Sequence, residues 1–284
     1  MNKYNDCFRR ILASAACLST VLLAMPAAQA GELPPLPAAI KQAGLLRFGV
    51  KCDSPPFGST GPDGKPVGIE IEMAKQIATY AFGSPDKAEL TCVTSEARIP
   101  SLNGGKIDLI LATLGKFPAR EEVIDFSDVY FWGTSNVIVP KASPAQKLSD
   151  LSGKTILIVK GGSQIKWLKE NIPGVEMMQL NTTADGVQAL QQGRGEGFVG
   201  DGGLIWTLAS NYPELRVINE GLDLGVNGIG IRKNEPELKA FVNAALAKLK
   251  SEKFYDATAA KFIENDLVRQ AMLKGFTTEQ PASK

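Results

Sequence analysis

Short apolar runs alternate with segments of helical period twice along this chain, and that alternation restricts it to an α/β architecture before any single residue is weighed. Residues 45–50 read as a strand, followed by Pro55-Pro56-Phe57 and a turn at Gly61-Pro62-Asp63-Gly64. Ile69, Met73 and Ile77 then recur at helical spacing, with Glu70 and Glu72 in the first turn, where the helix dipole favours acids. Strands follow at 89–93 and, nearly all apolar, at 107–112, separated by a short helix or turn at 100–104. Strands that alternate with helices build a parallel sheet buried on both faces.

The pattern then starts again. Thr155-Ile156-Leu157-Ile158-Val159 is a buried strand, Gly161-Gly162-Ser163 opens a helix, and 175–180 is a strand. Thr182 or Thr183 caps a helix that Gly193 ends, before a strand at 197–201. A helix at 205–210, strands at 216–219 and 227–232, and amphipathic helices at 236–249 and 255–263 complete the chain. Two α/β lobes with a ligand crevice between them are expected.

The first thirty residues have the features of an export signal: Lys3, Arg9 and Arg10, an apolar stretch at 11–25, then Ala28-Gln29-Ala30 as a small-residue cleavage site. The stretch is too short to span a bilayer, which takes about 20 residues, so a periplasmic protein starting at Gly31 is expected. Removing residues 1–30, which carry Lys3, Arg9, Arg10 and Asp6, turns 31 basic and 30 acidic residues into 28 and 29. That balance has no nucleic-acid or membrane-surface signature. The chain has no histidine, which excludes a His-dependent triad and, with few cysteines, a zinc site. Cys52 and Cys92 fall in or beside neighbouring predicted strands of an exported chain, leaving open a disulfide or two buried thiols.

Arg120 stands out among the charged residues. An apolar strand ends at Ala112-Thr113-Leu114-Gly115, a loop follows, and Pro118 takes a first helical position, so several backbone N–H groups converge where a guanidinium is available. A carboxylate or phosphate would be gripped there in forked geometry, aided by the helix N-terminus. The competing reading is a surface ion pair with Glu121 or Glu122.

Ordered motifs make the pattern specific. Gly68-Ile69-Glu70-Ile71-Glu72-Met73 with Ile77-Ala78, Pro56-Phe57, Gly105-Lys106-Ile107-Asp108, Arg120 with Asp125-Phe126-Ser127, Gly193-Arg194-Gly195-Glu196-Gly197 with Asp201, and Gly230-Ile231-Arg232-Lys233 occur in this order. The chain thereby resembles the extracellular solute-binding proteins of the polar amino-acid class, which serve ATP-driven (ABC) importers, closest in pattern to the glutamate and aspartate binders. The resemblance implies a type II two-lobed binding-protein fold with two hinge crossings, near 133–136 and 226–230. Lobe one would comprise 31–134 plus 230–284 and lobe two 135–229, after a signal peptide at 1–30.

The resemblance also implies roles. Arg120 would hold the ligand carboxylate, helped by Thr113 and backbone N–H groups near Gly115, although many relatives carry Ser or Thr where Gly115 and Phe117 stand. Asp201 would hold the α-ammonium; as a residue at a strand end it could equally be a helix N-cap. Gly161-Gly162-Ser163 resembles a second carboxylate loop, but as a strand-to-helix turn it is unspecific. Side-chain recognition would fall to Lys51, Ser54, Ser95 and Arg98, since Thr94-Ser95 with Arg98-Ile99-Pro100 resembles binders of acidic amino acids. Two unpaired cations in a dry crevice would favour a ligand carboxylate. Alternatively Arg98 pairs with Glu96 or Asp108 and Lys51 points to solvent. Phe57 is expected to wall the pocket because two prolines fix the strand end presenting it; Tyr130, Phe131, Trp132 and Trp206 are expected to pack.

Binding and delivery of an amino acid by a monomer to permease subunits, with no cofactor, metal or catalytic residue, is the leading reading. An exported dehydratase on the same scaffold is the alternative, but strand alternation from Asp201 turns the nearest acid, Glu196, to the opposite face. A ligand-loaded signal for a receptor is a third.

Overall fold

Strands apolar on both faces need cover on both faces, and the arrangement of helices follows from that demand. The computed structural model describes residues 33–281; the expected export signal lies outside the described residues. Helix α1 (Ala38–Ala43) ends at left-handed Gly44 and leads into β1 (Leu46–Val50). Three short strands, β2 (Asp53–Ser54), β3 (Gly58–Thr60) and β4 (Pro66–Val67), form a separate small sheet. Then come α2 (Ile69–Phe82), β5 (Ala88–Cys92), α3 (Arg98–Asn103), β6 (Leu109–Leu111) and the single turn α4 (Pro118–Glu121). The long strand β7 (Asp125–Pro140) precedes a second series: β8 (Thr155–Val159), α5 (Gln164–Asn171), β9 (Glu176–Leu180), α6 (Thr183–Gln191), β10 (Gly197–Asp201) and α7 (Gly202–Asn211). Strands β11 (Leu215–Val217) and β12 (Leu224–Ile231) and helices α8 (Pro236–Ser251), α9 (Phe254–Phe262) and α10 (Asp266–Thr277) follow.

The main sheet runs β5-β1-β6-β12-β7-β10-β8-β9, with β11 also on β7. Period-2 alternation distributes side chains to its two faces. Leu109 and Leu111 join one apolar cluster with α2 and α8, while Ile110 and Ala112 join another with Leu102 and Ile107. In the second series Ile156 and Ile158 face one way and Leu157 the other. Each buried aliphatic side chain of this kind stabilises by roughly 1.5–3 kcal/mol, so each sheet segment carries its own core.

One strand joins the two segments. Residues 125–134 of β7 pair antiparallel with β12, and 135–140 pair with β10 and β11. The returning chain changes partner in the same place: Leu222 N–H donates to Ser135 O, whereas Leu224 opposes Thr134.

Cys52, just past β1, is bridged to Cys92 at the end of β5, with Cα atoms 5.6 Å apart. Thr182 caps α6 by accepting from the Asp185 N–H. Two expectations need correction. Helix α10 lies beyond the predicted last helix, and Trp206, expected to pack, is 40 % exposed. The 16-residue strand β7 covers a stretch to which the sequence reading gave no element. Among the described residues no helix is long and apolar enough to cross a membrane.

Candidate functional site

The carboxyl ends of β1, β6, β8 and β10 supply Lys51, Thr113, Val159 and Asp201 to one cavity of ≈ 50 Å³. Strand ends of an α/β sheet place loop and helix-start residues there, and Ser95, Arg98, Gly162, Ser163, Gln164 and Thr183 complete the lining. A larger cavity of ≈ 730 Å³ near α1 involves none of these residues, and its Arg47, Asp108, Arg232 and Glu235 are spent on one another.

Arg120 lies beside this cavity. Its Nη1 donates to Gly115 O at 2.8 Å and its Nη2 to Gly161 O at 3.0 Å, with the guanidinium 4.4 Å from the centre of the Phe117 ring. The surface-pair reading fails, because Glu121 pairs with Lys116 and Arg120 is buried. Burial lowers the Arg120 pKa to about 9, the positive charge of Arg98 adding to the effect and Asp201 opposing it. An anion beside it would reverse that cost. Helix α4 has only four residues, so the expected dipole contribution is small. Gly115 lies beside both groups: a Cβ there would make ordinary contact, at 3.4 Å, with Arg120 Nη1 and Ser163 Cβ.

Asp201 ends β10 and takes the N-cap position of α7 without a side-chain capping bond. Its carboxylate instead accepts from Gln164 Nε2 at 3.0 Å. Burial raises its pKa, while Arg98, Lys51 and the Gln164 bond pull it back. Among the described residues neither Arg120 nor Asp201 has a salt-bridge partner.

Elsewhere the expected loose cations are held. Lys51, 3 % exposed, forms a 2.6 Å ion pair with Asp53 and approaches Ser95 Oγ at 3.5 Å. Arg98, 2 % exposed, donates through Nη1 to the carbonyls of Ala112 and Thr113, and its buried Nε has no partner. Neither pairing with Glu96 or Asp108 nor exposure of Lys51 occurs. Burial lowers the Arg98 pKa against the opposing charges of Asp201 and Glu70. Beneath the cavity, Glu70 accepts from the Thr113 N–H and the Tyr130 hydroxyl, and burial raises its pKa to about 7 against those bonds. Phe57, in the turn between β2 and β3, does not line the cavity; it packs with Phe131 and Phe276 in the core.

The two sides of the crevice touch directly. Thr183 N–H, at the start of α6, donates to Asp53 Oδ2 at 3.2 Å. Left-handed Gly161 packs so closely that a Cβ would lie 3.0 Å from the Ser95 and Glu96 backbone. Glu196 is bonded to Ser143, outside the cavity lining, as alternation predicts.

Of the residues singled out from sequence, Lys51, Ser54, Ser95, Arg98, Thr113, Gly162, Ser163 and Asp201 line one cavity, Arg120 and Gly115 adjoin it, and Phe57 does not. Asp53, Gln164 and Thr183 were missed. Asp53 had a signal only in lying two residues from Lys51; Gln164 was readable only as the first helical residue after Gly161-Gly162-Ser163.

The model of the bacterial extracellular solute-binding proteins, family 3, matches residues 46–265. The chain belongs to this family. Within it, the chain is 33% identical over 231 residues to the glutamine-binding protein GlnH of a Bacillus subtilis ABC transporter, covering 81% of this chain and 85% of that one. A glutamine-binding protein of Geobacillus stearothermophilus is 37% identical over 196 residues, covering 68% and 75%. Among solved structures, the solute receptor for L-cysteine of Neisseria gonorrhoeae superposes with a TM-score of 0.76 at 32% identity, covering 80% of this chain and 92% of that one. The chain has the type II periplasmic-binding-protein fold of its family 3 structural neighbours.

Proposed function

We propose that this chain binds a free polar α-amino acid in the crevice and delivers it to the permease of an ABC importer. One observation carries the reading: a buried cation, Arg120, and a half-buried carboxylate, Asp201, flank Ser163 without ion-pair partners among the described residues. A zwitterion supplies both partners, its carboxylate to Arg120 with the Gly115 and Gly162-Ser163 backbone nearby, and its ammonium to Asp201. Relatives named for glutamine and L-cysteine support an amino-acid ligand.

The lobes are assigned on either side of the β7 partner change, with the return at 222–224 rather than 229–230. Lobe one is then 33–134 plus the chain from Leu224 onward. The closed arrangement is the form offered to the permease, because ligand contacts from both lobes favour it over the open one. Membership of an extracellular family supports export through the segment 1–30. An acidic ligand side chain loses its main support, since Lys51 is already paired.

A thermal-shift screen of the twenty amino acids tests the reading, since a ligand at 100 times its Kd stabilises by about 2.7 kcal/mol. At least one polar amino acid should raise the midpoint; no response from any of them contradicts the proposal.

A further inference from the structure

Asp53 belongs to none of the motifs singled out from the sequence, yet its carboxylate is bonded to two residues of the cavity wall. One carboxylate oxygen is 2.6 Å from Lys51 Nζ, and the other accepts from the Thr183 N–H at 3.2 Å, across the crevice. Lys51 and Thr183 both line the cavity, so this carboxylate stands directly behind two of its wall residues. We propose that Asp53 sets side-chain specificity: it neutralises Lys51, rejects acidic side chains, and leaves the site to a small, uncharged side chain bearing a hydrogen-bond acceptor. The inference rests on the amino-acid reading above.

Charge decides the first part. Three charged groups line the cavity, Lys51, Arg98 and Asp201, and a fourth, Asp53, stands behind Lys51. The ligand ammonium uses Asp201, and Lys51 with Asp53 forms a closed pair. Arg98 remains, but its Nη1 is committed to the Ala112 and Thr113 carbonyls, and the negative charges of Asp201 and Glu70 act on it. A second ligand carboxylate would lie against Asp53, and like charges brought together in a dry site oppose binding strongly.

The remaining donor decides the second part. Arg98 Nε is buried without a partner, and Arg98 lines the cavity. A buried donor left unpaired is costly, so a ligand oxygen or sulfur that accepts from it is selected over an aliphatic group. The cavity volume of ≈ 50 Å³ limits how large that side chain is.

Asp53→Asn isolates the charge, because an amide oxygen still accepts from Thr183, whereas Asp53→Ala removes both contacts. Isothermal titration with glutamine, cysteine, serine, glutamate and aspartate on wild type and both variants is the test. Wild type should prefer a neutral ligand over either acid by on the order of 100-fold, and Asp53→Asn should shrink that ratio by about 10-fold or more, with a lower unliganded melting midpoint because the buried Lys51 loses its ionic partner. Asp53→Ala should shrink it similarly and also weaken every ligand. Wild type that prefers glutamate or aspartate overturns the inference, as does an unchanged ratio in Asp53→Asn; in both cases the amino-acid reading stands. Wild type that binds none of the twenty amino acids overturns both.

Discussion

At one end of the crevice the buried Arg120 and the half-buried Asp201 have no ionic partners among the described residues; at the other, Lys51 is tied to Asp53, while Arg98, like Arg120, is held by backbone carbonyls alone. The contrast separates two tasks. Charges held unpaired in a desolvated site release their interaction energy only to a ligand, so under the proposed function the first end would recognise what all α-amino acids share. The closed Lys51–Asp53 pair attracts no further charge, so under the same proposal the second end would discriminate by hydrogen bonding, size and repulsion around Arg98.

The sharpest way to break this division is Arg120→Ala. Loss of a buried, forked carboxylate partner should cost about 3–5 kcal/mol for every amino acid bound, whatever its side chain. Calorimetry on three ligands checks it; a loss confined to one ligand would show that Arg120 reads the side chain instead.

Replacing both Cys52 and Cys92 by Ser acts only on the side-chain end, where the bridge ties the strand carrying Lys51 to the one leading to Ser95. Unfolding free energy should fall by about 2–4 kcal/mol, and the preference among ligands should change more than the affinity common to all of them. A uniform loss across ligands would dissolve the distinction between the ends.

Gly161→Ala touches the contact that closes the crevice. Its φ of 72° disfavours a side chain, and the added carbon would meet the Ser95 and Glu96 backbone. Affinity for all ligands should fall by about 1–3 kcal/mol with a smaller change in the unliganded melting midpoint. Unchanged affinity would mean that ligand binding does not require the two lobes to meet there.

The smallest effect concerns Glu70, beneath both ends. Its pKa rises from 4.5 to about 7 on folding, so the folded state keeps a proton that the unfolded chain has released. Stability from this group is therefore lost as pH climbs from 4.5 to about 7 and is constant above. Glu70→Gln should flatten that part of the melting-midpoint profile; an identical slope in wild type and variant would locate the titration elsewhere.

Much of the architecture was legible because period and capping are local properties. The apolar runs around Ile110 and Leu157 announce buried strands, and Thr182 announces the start of α6. Strand β7 was harder, since it contributes to both sheet segments and mixes buried Phe126 and Ile138 with exposed Val129. Arg120 and Asp201 were readable from their strand-end settings together with the family motifs. Partners of Lys51 and Arg98 were not, because a carboxylate two residues away competes with solvent and ligand in ways that only the packed crevice decides. Phe57 shows the same limit in the other direction: two prolines fix a strand end without saying which side of it faces the core.

Titration calorimetry with one well-bound amino acid, its α-amide and its N-acetyl derivative tests the zwitterion clamp most directly. The amide removes the charge offered to Arg120 and the acetyl group removes the charge offered to Asp201, while the side chain is untouched. Each derivative should bind on the order of 1,000-fold more weakly than the parent. Either derivative binding within about 10-fold of the parent would contradict the assignment of Arg120 and Asp201 as the two poles of the site.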